Sequence, residues 1–476
     1  YRPVENRAHM RRLCPQGMNP RKGSGKIKNA LKKFKESETK MFDLVLENCL
    51  IVEKSGTCEA NIAVKDGSIA KIGREKFEGK KNVDCQGKTV FPGLIDSHVH
   101  FRTPGEEHKE DWKSGSFAAL AGGVTCVLDM PNNTPPTVTA EALEEKRKKI
   151  SSLSLVDFGF HFGATGKNLI EIEKAKRIAS VKIYTGISTG SLLLESPAEI
   201  EKLFRFLAGK KIVACVHAES QSLIEKNFKK FSKSSDPLIH SSVRSTESEV
   251  VAVEQLIEIR RRAKNALYFC HVSSADGLKL IAEEKEKTEQ VFCEVTPHHL
   301  FLTEKSLEKL RNFGKVNPPL RKEKDRLALL KGLKSGVVDV VASDHAPHTV
   351  QEKKLPYWSA PSGVPGVETM LPLLLDAVAK KNISLEKIAE VCCENPARIF
   401  GMKNKGRMQE GFDADFAVAD TWKKSRISNK ETHSKCGWTP FNGWSTIGRV
   451  EKTIVRGKIV FDGKKFLESF KGAEVF

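Results

Sequence analysis

Residues 91–111 read FPGLIDSHVHFRTPGEEHKED and set His98, His100 and Arg102 at every second position after an apolar run. On an extended strand alternate residues point to one side, so both imidazoles can share one cation, with the guanidinium just beyond. Later apolar runs carry Lys182, His217 and His271, and another ends in Asp344 within SDHAPH. Four imidazoles and a carboxylate make an N/O donor set suited to zinc or a similar divalent ion. A single strand-end histidine is more often a hydrogen-bonded core or rim residue; several at successive strand ends favour metal. His161 also ends an apolar run, so position alone does not make a ligand. His108, His240 and His433 lie in polar stretches and read as surface residues. Lys182 is the odd member, because an ammonium repels a cation and has no lone pair. Either it pairs with an acid at the mouth of the site, or it loses its proton, captures carbon dioxide and becomes an anionic carbamate.

The elements that position these residues alternate. Short apolar strands are expected at LIDSHVH, VTCVLDM, DFGFHFG, VKIYTG, IVACVHA, LYFCHVS, VFCEVTP and VDVVASD. Between them lie helical stretches such as TAEALEEKRKKISSL, SPAEIEKLFRFLAG and RSTESEVVAVEQLIEIRRRA. Eight such units predict an α/β protein with a (β/α)8 TIM barrel over residues 91–403, its chemistry at the carboxyl ends of the strands. An open doubly wound sheet is the alternative, but no GxGxxG follows the first strand. Residues 41–90 and 404–476 have a different texture: short strands with Asp/Gly turns, as in ANIAVKDGSIAKIG and VEKTIVRGKIVFDGK. Neither end has strands enough to cover a core alone, so both are expected to pair into one small β-sandwich domain.

Residues 1–40 hold twelve Lys or Arg against three Glu, a large share of the formal net charge of +19. They read as a basic, unstructured leader rather than a nucleic-acid arm, and Met41 opens the first clean strand. With 39% hydrophobic and 29% charged residues among 476, the chain can bury a large core. No run of eighteen apolar residues predicts a membrane span. The eleven cysteines form no CxxC pair, which fits a reducing, cytoplasmic setting.

The motifs DSHVHFRTPGEEHKEDW, AALAGGVTCVLDMPNNTPP, VKIYTG, HAES, CHVSS, CEVTPHHLFLT, NPPLR, SDHAPHT, PGVETMLPLLL and NPARIFG occur in this order. Together they resemble the class I dihydroorotases of the amidohydrolase superfamily, from Met41 to about residue 470. The resemblance implies two Zn2+ per subunit. His98 and His100 would hold one ion, His217 and His271 the other, with carboxylated Lys182 bridging them. Asp344 would be both a ligand and the catalytic proton shuttle. The substrate would be carbamoyl aspartate or dihydroorotate, interconverted reversibly in pyrimidine biosynthesis. Arg102 would match its carboxylate with two parallel hydrogen bonds, helped by Asn132, Asn317 and His348. Some relatives carry arginine at the Asn317 position, and Asn132 also reads as a turn residue before Pro135. Gly363, Pro365 and Gly366 either present backbone groups to the substrate ring or form a plain turn. Cys270 is expected to face away from the site, outside the barrel. Glu294 is expected to orient a ligand histidine, and His298 and His299 to support the site or cap a loop. The resemblance leaves a homodimer and association with other pyrimidine-pathway enzymes open. The rivals are a hydantoinase, dihydropyrimidinase or allantoinase, whose substrates lack a carboxylate placed for Arg102, and an inactive scaffold, which would have lost ligands.

Overall fold

The computed structural model describes residues 41–188 and 192–476; the basic leader expected over residues 1–40 lies outside them. Five strands come first: β1 (Leu44–Glu53), β2 (Gly56–Lys65), β3 (Ser68–Gly73), β4 (Asn82–Asp84) and β5 (Thr89–Pro92). Eight follow: β6 (Leu94–Val99), β7 (Val124–Asp129), β8 (Asp157–Gly163), β9 (Ser180–Tyr184), β10 (Ala214–His217), β11 (Leu267–Phe269), β12 (Val291–Val295) and β13 (Val340–Val341). The last three are β14 (Phe416–Arg426), β15 (Ser445–Val455) and β16 (Lys458–Phe461).

Strands β6 to β13 pair in chain order and in parallel, forming the barrel. It closes where Val99 bridges His345 and the His100 amide donates to the His345 carbonyl at 2.8 Å. Successive side chains point to opposite faces, and both faces are buried, as parallel sheets require. Ala214, Val216, Leu267, Phe269, Val291 and Cys293 pack outward in one core, and Cys215, Tyr268, Cys270 and Phe292 pack in another. The expected helices form. Thr139, Ser196 and Ser245 accept backbone N–H groups at the starts of helices Ala140–Ser151, Pro197–Lys210 and Thr246–Ala263. Among the described residues no helix is long and apolar enough to cross a membrane.

The two chain ends join through one hydrogen-bonded path, β16–β15–β14–β5–β1–β2–β3, with β4 beside β1. Leu44, Leu46, Ile62, Phe416, Val418 and Ile454 give this unit its own core. It is locked to the barrel by charge. Lys405 Nζ lies 2.8 Å from Asp157 at the start of β8, 2.8 Å from Asp413 and 2.6 Å from Asp415. The C-terminal segment seals the same end: the Phe158 amide donates to Ala473, Val475 donates to Phe158, and Glu474 pairs with Arg147 and Arg177.

Lys405 meets all three carboxylates, whereas Arg456 Nη2 reaches Asp157 at 3.3 Å, so removing Lys405 leaves like charges facing each other with little to balance them. We expect Lys405→Met to cost on the order of 3–5 kcal/mol, read as a clear drop in melting temperature, with kcat of the folded fraction unchanged. An unaltered melting curve would show that this cluster does not lock the two units.

Candidate metal centre and substrate cleft

At the carboxyl ends of the strands the side chains converge on a cleft. It is lined by His98, His100, Arg102, Asn132, Tyr184, Ser188, His217, His271, Asn317, Asp344, Ala346, Ser362 and Gly363. Asp344 Oδ1 lies 3.4 Å from His98 Nε2 and 3.2 Å from His100 Nε2. On the other side, His217 Nδ1 and His271 Nε2 approach to 3.1 Å. These are two pairs of imidazole nitrogens, each pair gathered on one point.

What stands behind the rings decides which nitrogen is free. His98 Nδ1 hydrogen-bonds to the Glu294 carboxylate, and His100 Nδ1 donates to Asn132 Oδ1 at 2.7 Å. His217 Nε2 donates to Glu219 Oε2 at 2.8 Å. An oxygen acceptor on one ring nitrogen places the proton there and leaves a lone pair on the other, which in each case faces the cleft. Burial holds the pKa values of His98, His217 and His271 below the imidazole range, so the lone pairs are not lost to protons. Burial works against the Asp344 carboxylate, but His98, His100 and Lys182 outweigh it and hold its pKa down at about 2. Neutral imidazoles and an ionised carboxylate fit a divalent cation.

Lys182 is wholly buried and reaches Cys270 Sγ at 2.9 Å. Among the described residues no carboxylate forms an ion pair with it, so the reading of a strand lysine matched to an acid finds no partner. Cys270 was expected outside the barrel and is inside it. β11 keeps its alternation through Tyr268 and Cys270, and the chain then enters a left-handed turn at His271, φ 35°. That turn swings His271 to the inner side, where simple alternation would have placed it outside. Arg102 (φ 60°) and Asp344 (φ 46°) use the same device at their strand ends.

Arg102 is almost fully buried, with Nε donating to Pro347 O at 3.2 Å and Nη2 3.2 Å from His348 Nε2. His348 is buried behind it, 3.0 Å from Ser362 O, and does not itself line the cleft. Gly363 sits at φ 136°, and a Cβ there would come within 2.5 Å of Ala346 O, so only glycine lets this loop meet the cleft. Pro365 and Gly366 lie off the cleft wall, where the Gly366 amide donates to His345 Nδ1 at 3.1 Å.

Glu294 orients more than one group: it takes His98 Nδ1, the His271 amide at 3.0 Å and the Tyr268 hydroxyl at 2.8 Å. Burial pushes its pKa up to about 7. Glu219 is a partner that sequence spacing hardly marks, two residues past His217 in HAES. Burial opposes its charge, yet Arg244 and His217 hold its pKa well below the usual carboxylate range. His161 is tied to Ser180 Oγ at 2.6 Å and Ser97 O at 3.0 Å, which makes it a core residue rather than a ligand. His299 bonds Thr296 Oγ1 at 2.8 Å and Pro318 O at 3.0 Å, pinning the loop beside Asn317. His108 is exposed as expected, and His433 pairs with Glu368 at 2.8 Å. His240 is buried, contrary to the surface position its polar neighbours suggest, because the loop following Asp236 folds over the barrel rim.

The chain matches the model of the amidohydrolase family over residues 89–460, and that of the urease alpha-subunit N-terminal domain over residues 12–85. It is 39% identical over 437 residues to a dihydroorotase of Methanothermobacter thermautotrophicus, covering 90% of this chain and 96% of the relative. A dihydroorotase of Halobacterium salinarum is 41% identical over 401 residues, covering 84% and 92%. Among solved structures, an L-hydantoinase (dihydropyrimidinase) from Arthrobacter aurescens superposes with a TM-score of 0.87 at 32% identity, covering 90% of this chain and 98% of that one.

Glu219 tests whether the acceptors behind the rings matter. Glu219→Gln keeps the shape and weakens the acceptor, and we expect metal affinity to fall about 10–100-fold in chelator competition. Unchanged affinity would mean that the His217 ring is held by packing alone.

Proposed function

This chain is a member of the amidohydrolase family, and on that footing we propose that it is a dihydroorotase, interconverting N-carbamoyl aspartate and dihydroorotate. The observation that carries the reading is the joint placement of the imidazole pairs, Asp344 and buried Arg102 around one small cleft. The metal ligands alone fit any cyclic amide hydrolase. Arg102 adds a fixed cation, and a buried guanidinium that meets the Glu106 carboxylate only at 3.5 Å has donors left poorly matched. A substrate carboxylate completes it.

We further propose that the site holds two zinc ions, with carboxylated Lys182 between them. The support is chemical. A wholly buried ammonium with no carboxylate partner is costly, whereas the carbamate formed from the neutral amine and carbon dioxide is an anion beside the imidazole pairs. Zinc ions bound there would ionise water near neutral pH and polarise the amide carbonyl. The chain's own residues do the rest. Arg102, backed by His348 and Pro347, fixes the carboxylate end, and Asn132 holds His100 while lining the same wall. Asp344, whose Oδ1 stands 3.4 Å from His98 Nε2 and 3.2 Å from His100 Nε2, is a carboxylate facing the cleft and the proton acceptor there. In ring opening it takes the proton released as water adds to the amide carbon and passes it to the leaving ring nitrogen. In ring closure the same transfers run in reverse, water leaves, and the equilibrium sets the direction. A small diffusible substrate and unpaired cysteines suit action in the cytoplasm.

The hydantoinase reading has one observation in its favour, the superposition on an L-hydantoinase. The two readings separate at Arg102. We expect preferential turnover of dihydroorotate over dihydrouracil, hydantoin and allantoin, and Arg102→Met should lower kcat/KM for dihydroorotate on the order of 10²–10³-fold. Preference for dihydrouracil would move the chain to the hydantoinase side. Lys182→Ala should lose bound metal and activity together; an active variant with full metal content refutes the carbamate.

A further inference from the structure

Asn317 lines the cleft, and the residue that holds it comes from a distant part of the chain. His240 begins a short helical turn, His240–Val243, after the segment 236–239. Tyr357 clasps that segment by donating its hydroxyl to Pro237 O at 3.2 Å, and Lys315 Nζ in turn donates to Tyr357 O at 2.7 Å. The His240 ring is thereby buried, with Nε2 3.0 Å from Val316 O and 2.9 Å from Asn317 Oδ1.

The chemistry of these contacts leaves one arrangement. A backbone carbonyl can only accept, so Nε2 must carry the ring proton. Burial, with the Lys315 and Arg244 cations nearby, pushes the pKa of His240 down to about 3, so the ring is neutral. Nδ1 is buried and makes no hydrogen bond among the described residues, as suits a bare lone pair rather than a stranded N–H. The donating Nε2–H therefore faces the oxygen of the Asn317 amide, not its nitrogen. The amide nitrogen, which meets no protein acceptor among the described residues, is left for the cleft.

We infer that His240 is a positioning residue: it orients the Asn317 amide so that the site presents a neutral N–H donor to an acceptor oxygen of the substrate. This rests on the cyclic-amide reading above and adds to it a fixed polarity at position 317. Arg102 supplies charge, whereas Asn317 supplies direction. A ring bearing a carbonyl or carboxylate oxygen there is accepted, and one bearing an N–H is rejected because two donors would meet.

The test is a double-mutant cycle on the full chain with its metal content measured, using dihydroorotate as substrate. His240→Phe keeps the ring volume and removes the donor; we expect KM to rise about 10-fold with kcat changed less than about 3-fold. His240→Gln, whose Nε2 can donate, should restore most of the KM. The variant carrying both His240→Phe and Asn317→Ala should be no worse than Asn317→Ala alone, because the histidine acts only through the asparagine. Additive losses, or an unmoved KM in His240→Phe, overturn the inference. If His240→Phe does not fold, Asn317→Asp decides: it keeps the bond to His240 but turns an oxygen toward the cleft. Its kcat/KM should fall about 100-fold or more, and a value within about 3-fold of wild type overturns the proposal. If the wild-type chain opens a different ring in the substrate panel, the same cycle on that ring gives the same pattern. Failure of the substrate assignment and failure of the Asn317 orientation are then read separately.

Discussion

A buried imidazole offers its lone pair in one direction only if its proton is held in the other, and the oxygens behind the rings impose this on the whole site. Glu294 stands behind His98, Asn132 behind His100 and Glu219 behind His217. Without those acceptors each ring would be free to take either tautomer or to rotate, and the lone pairs would not converge. Each acceptor then needs a reason to keep its own charge or orientation in a dry interior. Arg244 does this for Glu219, with Nε 3.0 Å from Oε2, and Arg244 is steadied by Ile187 O at 2.7 Å. The Tyr268 hydroxyl and the His271 amide do it for Glu294. The aim of each lone pair is thus set by the acceptor behind its ring and by the groups that hold that acceptor.

The strands, their order and the residues at their carboxyl ends are legible in the sequence, because two-faced burial writes continuous apolar runs and the polar residues that end them stand out. The helical stretches between the strands are legible too, and the structure starts three of them on the hydroxyl caps Thr139, Ser196 and Ser245. What is not legible is whatever depends on a change of backbone hand. Counting in twos from Tyr268 puts Cys270 inside and His271 outside, yet the φ of 35° at His271 brings both to the inner side. Starting the count from the histidine instead sends Cys270 to the wrong face. Nothing in the residue types around CHVSS announces that turn. His240 shows a different limit. Its neighbours in LIHSSVR look solvent-facing, and only the packing of two loops far apart in sequence buries it against Asn317.

Positive φ at Arg102, His271 and Asp344 is a cost that a non-glycine residue carries only when its surroundings over-determine it. All three sit where a strand ends at the cleft, and each is fixed by bonds that leave the side chain aimed inward. The His271 amide is tied to Glu294, Arg102 Nε to Pro347 O, and the barrel bridge from Val99 to His345 pins the residue after Asp344. The strain is local and the restraints are long-range. Loosening a restraint is therefore expected to misplace the side chain before it unfolds the strand.

That strain has to be offset somewhere, and the fold places the offset at the other end of the barrel. There the Lys405–Asp157–Asp413–Asp415 cluster, the Glu474 pairs with Arg147 and Arg177, and the C-terminal segment on β8 bind the β unit and the barrel into one body. These interactions use charge as heavily as the site does, but there each buried cation is matched by carboxylates. At the site the balance is reversed. His98, His217 and His271 are buried neutral, Arg102 meets Glu106 only at 3.5 Å, and Lys182 has no carboxylate partner among the described residues. A polar interior satisfied at one end and left short of anions at the other is a scaffold whose stability is secured away from the cleft. The cleft itself is thereby free to remain electrostatically incomplete, which is the condition for the proposed binding of cations by its lone pairs and of a carboxylate by its guanidinium.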